Sequence, residues 1–304
     1  MPRFNLERLA GRMFGRPLFA HPEKAIVVAD VLMQRMSGLP ITQIHSAMLD
    51  NEQPVVNAGI LTDRTLNYYK PNSKLFDTVN GIAVINVEGS LVAKGDWIGA
   101  WSGMTSYEGL SLQIDQALKD PAIKGVVLET DSYGGEVDGC FECVDRIRHL
   151  AERKPVMSIL TSHACSAGYA LASAANQIVV PETGIAGSMG VITIHTEISK
   201  ANEMAGVSVT VLRAGDNKAD FNPFEALGED VANNVLKELS ELRELFCQRV
   251  ADNRGSRLTY DQAMATEAKT YRGPHAVKEG ICDAVADPKI AFDEFVNEYG
   301  STEA

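Results

Sequence analysis

Ser166 stands in the run HACSAGYALASAAN, walled by Ala164, Cys165, Ala167 and Gly168. The stretch before it, KPVMSILT, has the composition of a buried strand, and the alanine-rich stretch after it that of a helix. A serine held at such a strand-to-helix corner can act as a nucleophile. Equally, a run of small residues lets a helix pack tightly against a sheet. Attack on a carbonyl demands a base within hydrogen-bond reach of the hydroxyl and N–H donors aimed at the developing oxyanion. The first N–H groups of a helix have no intrahelical acceptor, so that of Ala167 is a natural donor. Gly134 and Gly135, in DSYGGEVDG, form a second stretch whose bare backbone could present N–H groups, or simply a strand-to-helix turn. The C-S-A-G run is not the G-x-S-x-G elbow of α/β-hydrolases.

Three residues compete to be the base. His163 lies three positions before Ser166, and His195 sits in a β-branched run, with Asp131 or Asp138 as possible orienting carboxylates. Each histidine also reads as a structural residue. Lys218, in LRAGDNKADFNPFEAL, is 52 positions beyond Ser166. A buried lysine can become the neutral amine that deprotonates serine, although the sequence around Lys218 is that of an ordinary loop. The pair Cys140 and Cys143 has no second Cys or His pair at zinc-site spacing and lies within an expected helix, which makes it structural.

The elements that must position these groups alternate. Residues 81–92, 123–130, 154–161 and 177–182 read as strands, and 106–120 and 137–153 as helices. This is the pattern of an α/β layered domain, and the continuous apolar strands fit a largely parallel sheet covered on both faces. A short helix is expected around 197–205, a strand over SVTVLRAG, and a long helix over 224–253. The long helix carries an apolar stripe of Val235, Leu239, Leu242, Phe246 and Val250 that suits core or subunit packing. Residues 1–50 read as helical, with Ile26, Val27, Val31, Leu32 and Met36 near helical spacing, and residues 50–73 as a linker. The expected division is an N-terminal helical extension and linker over 1–73 and a main domain over 74–304.

A formal net charge of −12 argues against nucleic acid or an anionic membrane as the main partner. No stretch approaches the roughly 18 consecutive apolar residues of a membrane span, and the N-terminus is a poor secretory signal. Five scattered cysteines fit reduced thiols in a cytoplasm-like compartment.

Together, DSYGGEVDG, HACSAGYALASAAN, TGIAGSMGVI and RAGDNKAD, in that order and spacing, resemble the serine–lysine peptidases of the signal peptide peptidase A family. The nearer likeness is to their tailed-phage branch, the head maturation (prohead) proteases of the lambda capsid-protease type, with NPFEAL after the lysine loop as a further branch feature. The resemblance covers roughly residues 80–285. It implies an α/β Clp protease/crotonase-like spiral of strand-strand-helix units. It implies Ser166 as nucleophile, Lys218 as general base, Gly135 or Gly134 with Ala167 as oxyanion donors, and Ser188 as a support for the lysine. Tyr133 departs from the proline usual before the glycine pair. No metal or organic cofactor is implied. The implied partners are phage scaffold, capsid and portal proteins and further copies in a homo-oligomeric ring. The implied setting is the assembling procapsid in the host cytoplasm. Alternative readings are a cellular signal-peptide-remnant peptidase, a crotonase-type acyl-CoA enzyme that would not need Ser166, and a non-catalytic assembly protein of the same fold.

Overall fold

The computed structural model describes residues 14–26, 29, 74–94 and 103–301. Of the helix expected over 1–50, residues 22–26 and Ala29 are helical, while Val27, Val31, Leu32, Met36 and the linker over 50–73 lie outside the described residues. Within them a ten-stranded sheet has the backbone order β10-β7-β6-β5-β3-β2. Its strands are β1 (Leu18–Ala20), β2 (Asp77–Val79), β3 (Ile82–Val92), β4 (Met104–Ser106), β5 (Gly125–Glu136), β6 (Val156–Cys165), β7 (Gln177–Val180), β8 (Ile185–Gly187), β9 (Thr270–Arg272) and β10 (Ala284–Val285). β3, β5, β6, β7 and β10 run parallel, as the α/β pattern requires. The helices are α1 (Tyr107–Lys119), α2 (Cys140–Ala151), α3 (Ala167–Ser173), α4 (Ser199–Met204), α5 (Glu229–Arg254), α6 (Tyr260–Ala265), α7 (Gly273–Lys278) and α8 (Pro288–Tyr299).

Alternation along the central strands divides the apolar residues between two faces. Ala83, Ile85, Val126 and Leu128 join one core with α1, α2, α3 and the end of α5. Ile82, Val84, Val127 and Ile159 join a smaller one sealed by Phe292 and Phe295 of α8. Burying each such aliphatic or aromatic side chain contributes about 1.5–3 kcal/mol, so both faces stabilise the sheet. Local signals agree. The Ser106 hydroxyl accepts from the Gly109 N–H at the start of α1, and Thr259 and Gln262 form a capping box on α6. α1 ends at Lys119, just before Asp120 and Pro121.

Three expectations need correction. Residues 18–20, expected to be helical, form strand β1, because they pair with the end of β5. The glycine pair, expected in a turn, extends β5 as far as Glu136, since β3 continues to pair with it up to Leu91 and Gly135. SVTVLRAG forms no strand: Val209 and Leu212 are exposed, and no described strand pairs with this stretch. α5 is buried only toward its C-terminal end, at Phe246, Cys247, Val250, Ala251 and Arg254. The upper part of its stripe, with Leu236 and Leu245 exposed beside it, projects from the core.

Candidate active site

The parallel ladders shift register near their C-terminal ends, between Gly89 and Ser90 for β3 against β5 and between Thr130 and Ser132 for β5 against β6. Beyond the shift β6 leaves β7 and pairs with β8 through His163, Ala164 and Cys165. Ser166 follows at once, as the residue preceding α3. Its backbone lies at φ 54 and ψ −120, outside the regions open to an ordinary L-residue. Such a conformation costs on the order of 1–3 kcal/mol and persists only where its surroundings over-determine it. Here the Ser166 N–H donates to the Gly187 carbonyl at 2.8 Å, and its carbonyl accepts from the Ala170 N–H at 2.9 Å. Gly134, Gly187 and Ser188 around it also have positive φ. The hydroxyl is buried, and its hydrogen bond, to the Gly190 carbonyl, is a long 3.5 Å. Ser166 makes no side-chain cap bond to α3, so its hydroxyl is not committed to capping.

Both glycines are required where they stand. A Cβ on Gly134 would lie 3.0 Å from Ser166 Cβ, 3.0 Å from the Ala167 nitrogen and 2.1 Å from the Phe19 carbonyl oxygen. One on Gly135 would lie 1.8 Å from the Leu91 carbonyl oxygen. The glycine strand, the serine and the first N–H of α3 therefore converge. The Gly134 N–H donates to Ser132 Oγ at 3.1 Å, and Gly135 stands opposite Leu91 of β3 and Phe19 of β1. Ser188 is buried in the segment 187–190 that wraps Ser166, its N–H donating to the Lys269 carbonyl.

The histidines are occupied elsewhere. His163 Nε2 pairs with the Tyr133 hydroxyl at 2.9 Å, and Nδ1 lies 3.2 Å from Asp131 and 2.7 Å from Ser162 Oγ. Its ring stacks on Tyr133 at 4.3 Å, so Tyr133 and Asp131 fix the orientation of His163. Asp138 lies 4.0 Å from Arg16. His195 Nε2 contacts the Asn222 carbonyl at 3.0 Å. Asn222 in turn donates to Glu225, which accepts two bonds from Arg213. This network anchors the loop that carries Lys218. Lys218 itself is exposed, and no hydrogen bond joins it to Ser166. In a single chain the expected nucleophile is buried and the expected base is exposed.

Residues 148–298 match the family model described as peptidase family S49. The chain carries an S49 peptidase domain. Over 95% of its length it is 32% identical to capsid assembly protease C of Escherichia phage lambda and 33% identical to head-tail preconnector protein GP5 of Enterobacteria phage P21. It spans 65% and 57% of those two proteins. Among solved structures it is similar to ClpP1 of Listeria monocytogenes, at 14% identity and a TM-score of 0.41, covering 69% of this chain and 94% of that one.

All five cysteines, with Cys140 and Cys143 inside α2 of the S49 chain, are free and buried. Burial pushes the Cys143, Cys165 and Cys282 thiols up to about 12 and the Cys247 thiol up to about 11, and raises Cys140 as well. Among the described residues no group of three or more His, Cys, Asp or Glu could hold a metal ion. Iodoacetamide at neutral pH is expected to leave all five thiols unmodified until the protein unfolds, which mass spectrometry would read directly. No described helix is long and apolar enough to cross a membrane. Sequence reasoning missed the wrap of residues 187–190 and the strand β1 beside Ser166. The glycines of TGIAGSMG signalled the first; nothing local signalled the second.

Proposed function

We propose that the chain is a serine endopeptidase with a Ser166–Lys218 dyad that cleaves scaffold and other head proteins during phage procapsid maturation. The observation that carries the reading is the buried Ser166, strained at φ 54 between the glycine strand and the start of α3. Membership of a peptidase family and the similarity to a phage capsid assembly protease support the substrate class. Ser166 Oγ attacks a peptide carbonyl while Lys218 Nζ takes its proton. The Gly135 and Ala167 N–H groups hold the oxyanion, and Lys218 returns the proton to the leaving amine. Water, activated by the same amine, then hydrolyses the acyl-enzyme.

Because Lys218 is exposed in a single chain, the dyad is completed between neighbouring copies in a homo-oligomer. The exposed apolar residues of segment 204–212, with Met204 and Leu212 each 90% accessible, and the projecting half of α5 are the surfaces that would pack there. Burial in such an interface would favour the neutral amine that a base requires. The test is co-expression with a phage scaffold protein and mass spectrometry of the fragments. The intact chain is expected to cut the scaffold at defined sites and the Lys218→Ala chain to leave it whole. Equal cleavage by both would remove lysine from the mechanism.

A further inference from the structure

Strand β1 lies beside the corner that holds Ser166. Its residues run antiparallel to the end of β5, with Leu18 opposite Glu136, Phe19 opposite Gly135 and Ala20 opposite Gly134. The His21 N–H extends this edge by donating to the Tyr133 carbonyl at 2.8 Å. On the other edge the Leu18 N–H donates to the Ile192 carbonyl at 2.8 Å, and the Leu18 carbonyl accepts from the Ile192 N–H at 3.0 Å. The strand is thus held between the glycine pair and the segment that follows the wrap around Ser166. The Phe19 carbonyl oxygen approaches the same point beside Gly134 that Ser166 Cβ and the Ala167 nitrogen approach. The Phe19 ring is fully buried, with Phe246 at 4.7 Å and Phe141 at 5.4 Å between ring centres.

These are the features of a peptide bound by strand addition. Main-chain bonds along both edges supply affinity, and a pocket for one side chain supplies selectivity. A carbonyl set beside the nucleophile's corner is the further requirement of a proteolytic substrate. No local hairpin dictates this placement, since the next described strand, β2, begins only at Asp77.

We propose that residues 18–20 are a tethered occupant of the substrate cleft. The chain's own N-terminal segment holds the place of an extended peptide with a large apolar side chain, and it withdraws before such a peptide binds. The inference rests on the reading of Ser166 as nucleophile. A seated occupant lowers the apparent affinity for any competing peptide by the fraction of chains in which the cleft is open.

The test uses full-length chains carrying Ser166→Ala, so that binding is read without cleavage, and a fluorescein-labelled synthetic peptide of residues 14–24. Leu18→Pro removes the N–H that bonds Ile192. Leu18→Cys with Ile192→Cys joins a directly opposed antiparallel pair, whose Cα spacing of roughly 5.5 Å is within disulfide reach. By fluorescence anisotropy, the Leu18→Pro chain is expected to bind the peptide at least about ten-fold more tightly than the parent, and the oxidised double-cysteine chain not at all. Equal affinity in all three chains, or binding by none, overturns the proposal. Should Leu18→Pro fold poorly, hydrogen exchange on the unmodified chain decides. The Leu18, His21 and Ile192 amides are expected to exchange at least about ten-fold faster than those of the β3–β5 ladder. Equal protection would make β1 a fixed part of the sheet. A chain with intact Ser166 that hydrolyses nothing would count against the peptidase reading, while the binding pattern would still judge the occupant.

Discussion

Replacing Ser166 by alanine is expected to lower peptide-bond hydrolysis by roughly 10⁴-fold or more, the scale at which loss of a serine nucleophile is felt. The fold should survive. The deleted oxygen makes one long hydrogen bond, 3.5 Å to the Gly190 carbonyl, so the change in stability is expected to stay within about 1 kcal/mol. The backbone bonds that hold the strained corner, from Ser166 to Gly187 and from Ala170 to Ser166, do not involve the side chain. Hydrolysis of the scaffold, followed alongside a thermal melt, separates the two effects. A variant that loses activity only in proportion to its loss of folded protein would make Ser166 a packing residue.

The same variant also locates the base. Mixing Ser166→Ala chains with Lys218→Ala chains creates, in a mixed oligomer, some sites with an intact serine and an intact lysine from different copies. Activity is then expected to reappear in the mixture of two inactive proteins. If both groups serve within one chain, the mixture stays inactive.

The second large effect concerns the fold. Asp283→Ala is expected to cost about 3–5 kcal/mol, measured by urea or thermal denaturation, because it strands a buried charge. Arg254 is fully buried and directs both Nη atoms at Asp283, at 2.8 and 2.9 Å. Asp283 also accepts from the Ile178 N–H at 2.7 Å and from Arg257 at 3.3 Å, tying the end of α5 to β7 and to the segment before β10. Replacing Arg254 and Asp283 together by apolar residues is expected to cost less than Asp283→Ala alone. Burial by itself would raise the Asp283 carboxyl, but the Arg254 hydrogen bond and charge, with the Ile178 N–H and Arg257, hold it below the ordinary 3.8. A carboxylate depressed on folding contributes stability that is fully present above that ordinary value. The contribution is lost as pH falls through the lower, folded value. The wild-type chain should therefore lose stability below about pH 4 more steeply than the double apolar variant.

The sequence by itself determined the α/β alternation, because strands buried on both faces write continuous apolar runs and helices between them write a 3.6-residue stripe. It also marked the serine corner: small residues between a strand and a helix are a local pattern, and the structure places Ser166 at that corner. It could not show that Gly134 and Gly135 extend β5, since pairing with Leu91 and with residues 18–20 is a property of distant segments. Nor could it show that Tyr133 and Asp131 engage His163, because those contacts cross between strands. SVTVLRAG reads as a strand because its residues favour one, yet a strand needs a partner edge, and among the described residues none pairs with it. The place of β1 beside the serine was decided by tertiary structure alone, through backbone bonds that carry no side-chain signature and a phenylalanine that fills a pocket assembled from α2 and α5.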